Sequence, residues 1–371
     1  MKILSYEDYQ RKASNLKTQE DVTSFLKELV APAFESGNEH DPVMIAKPIR
    51  RRRGFKEDDL RGTNEKRYEA AENETEERII ALYAKGLTTR DIANYLKEHH
   101  GIDVSQSMIS TITDKVYPQI KEWQSRPLSQ VYPFIYLDGL HFKVRESGKI
   151  VTRCAYVVLG VNGQGHKEVL GIWIGETEGA KFWMGILNEL KNRGVEEILI
   201  ACIDGLRGFS EAIKAIYPSA EIQQCIVHQV RHTIKFLPHK DREPFCDDLK
   251  GVYAAPSEDA GREALERIKE KWPQYQPYLR SWEDKWTELA PFFQYPDQIR
   301  KSMYTTNAIE NLNRQFRKVT KTTTLFPHDQ SLEKLLWLAQ DDIAKRWSKP
   351  VRNWGAIVTQ LAILFPGKIE F

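Results

Sequence analysis

Residues 197 to 205 read Glu197-Ile198-Leu199-Ile200-Ala201-Cys202-Ile203-Asp204-Gly205, an apolar run closed by a carboxylate and a glycine. A short, wholly apolar run of this kind reads as a strand buried on both faces, the central element of a β-α-β unit. Its neighbours agree. A helical pattern over Ala180 to Arg193 precedes it, another over Phe209 to Ile216 follows, and a last strand is expected from Ile222 to Val227. Upstream, Pro133 to Val144, Val151 to Val161 and Lys167 to Ile174 are rich in β-branched and aromatic residues. Glu146-Ser147-Gly148 and Asn162-Gly163-Gln164-Gly165 separate them as hairpin connections. Three antiparallel strands followed by β-α-β alternation predict an α/β fold built on a mixed sheet.

Both flanks of this sheet read as helical. Thr18 and Asp21 look like a cap pair ahead of Val22, Phe25, Leu26 and Leu29, and a polar, charged linker or basic arm follows to about Asn73. Three short helical patterns come next. The first carries Ile79, Ile80, Leu82 and Tyr83 and ends at Lys85-Gly86, the second starts at Thr88 with Asp91 three residues on, and the third carries Met108, Ile109, Ile112 and Val116. Their spacing fits a helix-turn-helix unit whose last helix enters the major groove of double-stranded DNA. Gln106, Ser107, Ser110, Thr111 and Lys115 on that helix are placed to meet bases or phosphates. From Arg231 to about Pro296 the pattern is helical and tryptophan-rich, and Leu332, Leu335, Leu336, Ala339, Ile343 and Trp347 then align on one helix face. The expected divisions are 1–73 (N-terminal helix and basic linker), 74–128 (helix-turn-helix), 129–231 and 297–371 (the two parts of the core, the second with C-terminal helices) and 232–296 (a helical insertion).

With 371 residues and 41% hydrophobic composition, two or three globular domains are expected. No apolar run approaches the roughly 18 residues of a membrane span, and no membrane partner is expected. The N-terminus turns polar after four residues and the four cysteines are scattered, which points to reduced thiols and a cytoplasmic address. Net charge is only +2, but its distribution is uneven. Lys47, Arg50, Arg51, Arg52, Arg53, Lys56, Arg61, Lys66 and Arg67 face only four acids within 47–67. Arg300, Lys301, Arg314, Arg317, Lys318 and Lys321 stand against Glu310 alone within 300–321. Both clusters suit DNA phosphates.

Asp138 lies inside the first strand among apolar residues, where a charge is costly unless paired or metal-bound. Asp204 ends the buried strand, where sites collect in open α/β sheets. Either acid alone could be structural, Asp204 as a helix cap. Together they bring like charges close and call for a cation. Glu310 shares a helix flank with Arg314 at i and i+4, so the residues alone favour a surface ion pair.

Three acids in this order, with YLDGLHFKVR at 136–145, IDGLRGFSEAI at 203–213, Cys225-x-x-His228, YTTNAIENLNRQFRKVTK at 304–321 and the ending PVRNWGAIVTQLAILF, resemble the Mutator-like transposases of bacterial insertion sequences. That resemblance covers about residues 74–368. It implies an RNase H-like core of the DDE type, with Asp138, Asp204 and Glu310 as catalytic carboxylates and metal ligands. Glu168 and Glu176 are the next candidates for the third position. Hard carboxylate oxygens favour Mg²⁺, with Mn²⁺ as substitute, and two such ions suit phosphodiester cleavage and strand transfer. The N-terminus departs from the family, which is expected to carry a small strand-rich basic region there.

Cys225 and His228 suggest zinc by type, but a second ligand pair is missing, so a supporting role is expected, with His228 reaching a phosphate or orienting a carboxylate. Trp286 is a candidate to stack on a displaced base, or a core tryptophan. Synapsis of two DNA ends implies at least a homodimer. The competing functions are a transposase-derived DNA-binding protein without catalysis and a nuclease on the same core.

Overall fold

A computed structural model describes residues 73–176, 179–205, 208–304 and 307–369; the expected N-terminal helix and the run Arg50 to Arg53 lie outside them. Four helices come first: α1 (73–84), α2 (Thr89–His100), α3 (Gln106–Asp114) and α4 (Tyr117–Ser125). Thr88 and Asp91 cap α2 reciprocally, and the Ser105 hydroxyl accepts the Met108 N–H at the start of α3. Ile79, Ile92, Leu96 and Ile109 turn their apolar faces fully inward.

The strands β1 (Val131–Glu146), β2 (Lys149–Val161), β3 (Lys167–Gly175), β4 (Glu197–Ile203) and β5 (Glu221–Gln224) form one mixed sheet in the order β3-β2-β1-β4-β5. β1 pairs antiparallel with β2, and β2 with β3, through the two expected hairpins; β1 with β4 and β4 with β5 are parallel. Helices α5 (Ala180–Asn192) and α6 (Phe209–Ile216) are the crossovers. Side chains alternate across the sheet. Ile135 and Leu137 of β1 pack with Trp183, Leu187, Phe209 and Ile213 of these two helices, whereas Phe134 and Tyr136 belong to the core of the opposite face.

That opposite face is covered by α7 (Ile226–Ile234), α8 (His239–Tyr253), α9 (Glu258–Lys271), α10 (Gln276–Asp284), α11 (Trp286–Leu289), α12 (Asp297–Tyr304), α13 (Asn307–Thr320), α14 (Asp329–Ala344) and α15 (Trp354–Leu364). One boundary departs from expectation. β5 stops at Gln224 rather than Val227, because Cys225 turns the chain and its sulfur accepts the His228 backbone N–H as the cap of α7. Among the described residues no helix is long and apolar enough to cross a membrane.

The first helices are fastened to α14. Lys334, 1% exposed, donates to Thr113 (3.1 Å) and Asp114 (2.6 Å), with the Tyr83 and Tyr117 rings within 6 Å of its ammonium. The Tyr117 hydroxyl donates to the Gln330 carbonyl at 2.8 Å. Gly86, in the turn between α1 and α2, has φ +89°, and a Cβ there would collide with the backbone carbonyl of Val319 in α13. Gly101, at φ +65°, faces open space. Gly101→Ala should therefore cost only the left-handed strain of about 1–2 kcal/mol. Gly86→Ala adds a backbone collision and should lower unfolding stability by distinctly more, as urea midpoints of the two variants will reveal.

Candidate active site

Parallel pairing of β1 with β4 sets Leu137 opposite Ile203, so the next residues on the two strands are Asp138 and Asp204. Each has the parity of side chains buried on the helix-rich face, Tyr136 on one strand and Cys202 on the other. Each is followed by a glycine whose backbone N–H donates to the carboxylate, at 2.8 Å from Gly139 and 2.7 Å from Gly205. The expected juxtaposition is present.

His228 completes the group. One ligand atom from each of Asp138, Asp204 and His228 can be chosen so that all lie within 4.8 Å of one another. Capping by Cys225 starts α7 at the sheet edge, and the residue three positions on, His228, stands with its Nδ1 3.8 Å from Asp204 Oδ1. That Nδ1 is buried without a hydrogen-bond partner. Burial alone would push the pKa of His228 down, but the Cys225 sulfur and the carboxylates of Asp204 and Asp138 push it up to about 9. For Asp138, burial pushes the pKa up and Asp204 adds to it; His228, the Gly139 N–H and Arg317 pull it down without cancelling the rise. Two carboxylates and an orphaned imidazole nitrogen form a donor set that fits a divalent cation.

Glu310 does not join this group. Its carboxylate, 11% exposed, accepts both terminal nitrogens of Arg231 at 3.0 and 2.9 Å, a bidentate pair with α7 rather than the i, i+4 pair with Arg314. One turn further along α13, the Asn313 amide donates to Asp138, so the helix carrying Glu310 does reach the site. Glu168 and Glu176 are engaged elsewhere, Glu168 by Tyr132 and Arg126, Glu176 by Arg153. Arg314, Arg317, Lys318 and Lys321 are exposed on α13 or just beyond it, and Arg317 is near enough to act on Asp138. On α3, Gln106, Ser107, Thr111 and Lys115 are exposed and Ser110 is half-buried; Lys115 pairs with Glu76 of α1.

Of the two readings of Trp286, its surroundings favour the core tryptophan. Its indole is 4% exposed, stacked on Phe293 and covered by the Arg262 guanidinium, with its N–H donating to Glu258 at 2.8 Å. The ring is a core anchor of the helical segment, with no face open to a base. Arg231 and Asn313 were not singled out from the sequence. The only hint was spacing: each lies three residues beyond a residue that was, His228 and Glu310.

The profile of the family described as "Transposase, Mutator family" matches residues 58–350. The transposase for insertion sequence element ISRM3 of Rhizobium meliloti is 43% identical over 301 residues, covering 81% of this chain and 75% of that protein. A probable transposase for an insertion sequence element of Corynebacterium diphtheriae is 38% identical over 316 residues, covering 80% and 92%. A solved structure, the Drosophila P element transposase strand transfer complex, aligns over 94% of this chain and 88% of its own at 12% identity, with a TM-score of 0.34, too low to establish a common fold.

The raised pKa of Asp138 means that the folded protein holds this proton more tightly than the unfolded chain does. Its ionisation therefore costs stability as pH rises through the folded pKa. At neutral pH, without divalent cation, Asp138→Asn should have a higher urea midpoint than the natural protein. Saturating Mn²⁺ should reverse the order, because only the intact site gains the binding energy.

Proposed function

Because this chain belongs to the Mutator family of transposases, we propose that it binds the ends of an insertion sequence and cuts and joins DNA strands at the Asp138–Asp204 pair, with Glu310 as third carboxylate. The observation that carries this reading is the β1–β4 register, which sets two aspartates side by side where a buried imidazole nitrogen lacks a partner. The core is read as RNase H-like of the DDE type, formed by 129–231 and 297–371 around the helical insertion 232–296. The helices of 74–128 are read as a helix-turn-helix unit, with 1–73 adding a basic arm. The substrate is double-stranded DNA, the assembly a homodimer that pairs two ends, and the place of work the cytoplasm.

Mg²⁺, or Mn²⁺ in its place, would supply an acidified water or DNA hydroxyl and stabilise the departing oxygen. The residues do the rest. Asp138 and Asp204 provide hard oxygens from a rigid sheet. Asn313 fixes the rotamer of Asp138 through its amide hydrogen bond. His228 carries positive charge beside the carboxylates and would hold a cation through Nδ1 once its proton had passed to solvent. Glu310 comes into the site by exchanging Arg231, whose guanidinium is then available to DNA. Arg314, Arg317 and Lys318 flank this point as phosphate contacts, while Gln106, Ser107, Ser110 and Thr111 are read as the groove-facing set.

Asp138→Asn, Asp204→Asn and Glu310→Gln should each abolish cleavage and joining of labelled end duplexes while DNA binding persists. Near-normal cleavage by either aspartate variant would refute the site. Near-normal cleavage by Glu310→Gln alone would remove only the third ligand. Neutralising Arg314, Arg317 and Lys318 should reduce the slope of log K against log salt by roughly 0.9 for each lost phosphate contact. Joining of cut ends to target DNA distinguishes a transposase from a nuclease.

A further inference from the structure

The loop after Asp204 is approached by a lysine from the helical segment. A Cβ built on Gly205 would lie 2.8 Å from Lys285 Nζ and 2.8 Å from Gln224 Nε2, so the lysine ammonium lies against the backbone that carries Asp204. Lys285 joins α10 to α11, and its carbonyl accepts the N–H groups of Glu288 and Leu289, each at 3.0 Å. Trp282 and Trp286, on either side, are 1% and 4% exposed and pin the backbone. Glu288, on the same segment, accepts from the Gln224 amide.

Among the described residues Lys285 forms no ion pair and no side-chain hydrogen bond, although it is half-buried beside an acidic site. An ammonium that has no counter-ion within the protein is available to an anion that arrives from outside, and a phosphate oxygen is a strong acceptor for it. A counter-ion for Asp204 would sit within ion-pair distance of its carboxylate, and Lys285 does not. Arg317, exposed on α13, is near enough to act on Asp138. A strand whose scissile phosphate is held by a divalent cation on the two aspartates would thus meet Lys285 beside Asp204 and Arg317 near Asp138.

We infer that Lys285 is a DNA-phosphate ligand at the Asp204 edge of the site, holding a phosphate next to the one that is cut. This rests on the function proposed above and adds a residue and a position to it. Substitution is tested on end duplexes taken from the DNA that brackets the gene, using the full chain with Mg²⁺. Lys285→Met should slow cleavage roughly ten- to hundredfold, the loss of one charge-assisted hydrogen bond, and Lys285→Arg should restore most of the rate. Replacing each phosphate near the cleavage point in turn by a neutral methylphosphonate should reveal one position at which the natural protein and Lys285→Met become equal. A Lys285→Met enzyme that cleaves normally, or whose defect persists at every methylphosphonate position, would overturn the inference. Amine acylation read by mass spectrometry needs no substitution: end DNA should protect Lys285, and equal labelling with and without it would also refute the contact. If Asp138→Asn and Asp204→Asn cleave normally, the carboxylate site itself is wrong; if they are dead while Lys285→Met is unaffected, only the lysine contact fails.

Discussion

Repulsion between Asp138 and Asp204 has to be held in check by everything around them, because the parallel pairing that buries Leu137 and Ile203 leaves the next two side chains no choice but to face the same way. The neighbourhood answers with donors and cations: two glycine N–H groups, the Asn313 amide, the charged ring of His228, and Arg317. His228 comes from α7 and both Asn313 and Arg317 from α13, so the packing of these two helices on the sheet is set by electrostatics as well as by apolar burial. A fold arranged this way is less stable at that point than one with an apolar pair would be, which is expected where a site must wait for its ligand.

Most of the sheet was legible in the sequence because its strands are either wholly apolar or alternate cleanly, and because hairpin glycines mark their ends. Asp138 and Asp204 could be picked out for the same reason: either alone has a structural reading, but two carboxylates at the ends of apolar stretches on neighbouring strands call for a cation. What escaped was long-range. Glu310 reads locally as a partner for Arg314, and only the folded chain brings Arg231 to it from α7. Asn313 carries no charge and leaves no mark in a sequence pattern. Val227 was placed in a strand because β-branched residues favour one, but the Cys225 sulfur offers the next turn a cap and the chain becomes helical two residues earlier.

One tryptophan had two readings in the sequence. A large aromatic in a helical insertion serves equally well as a core anchor or as a platform for a base, and its burial decides between them. Trp286 is an anchor. Its neighbour in sequence faces the carboxylate loop instead, so this helical segment meets the site through a cation rather than a ring, and the aromatic residues serve to hold that cation's backbone still.

Lys334 joins α14 to the end of α3, and Gly86 seats the turn between α1 and α2 on α13, the helix that also reaches Asp138. On the function proposed above, the element that reads sequence and the element that cuts are therefore fixed to adjoining helices with no slack between them. Such an arrangement works as a ruler. The distance from the bases that are recognised to the phosphodiester that is broken becomes a property of the α13 length between Asn313 and Val319, and it would change in steps of helical geometry if residues were inserted or removed there.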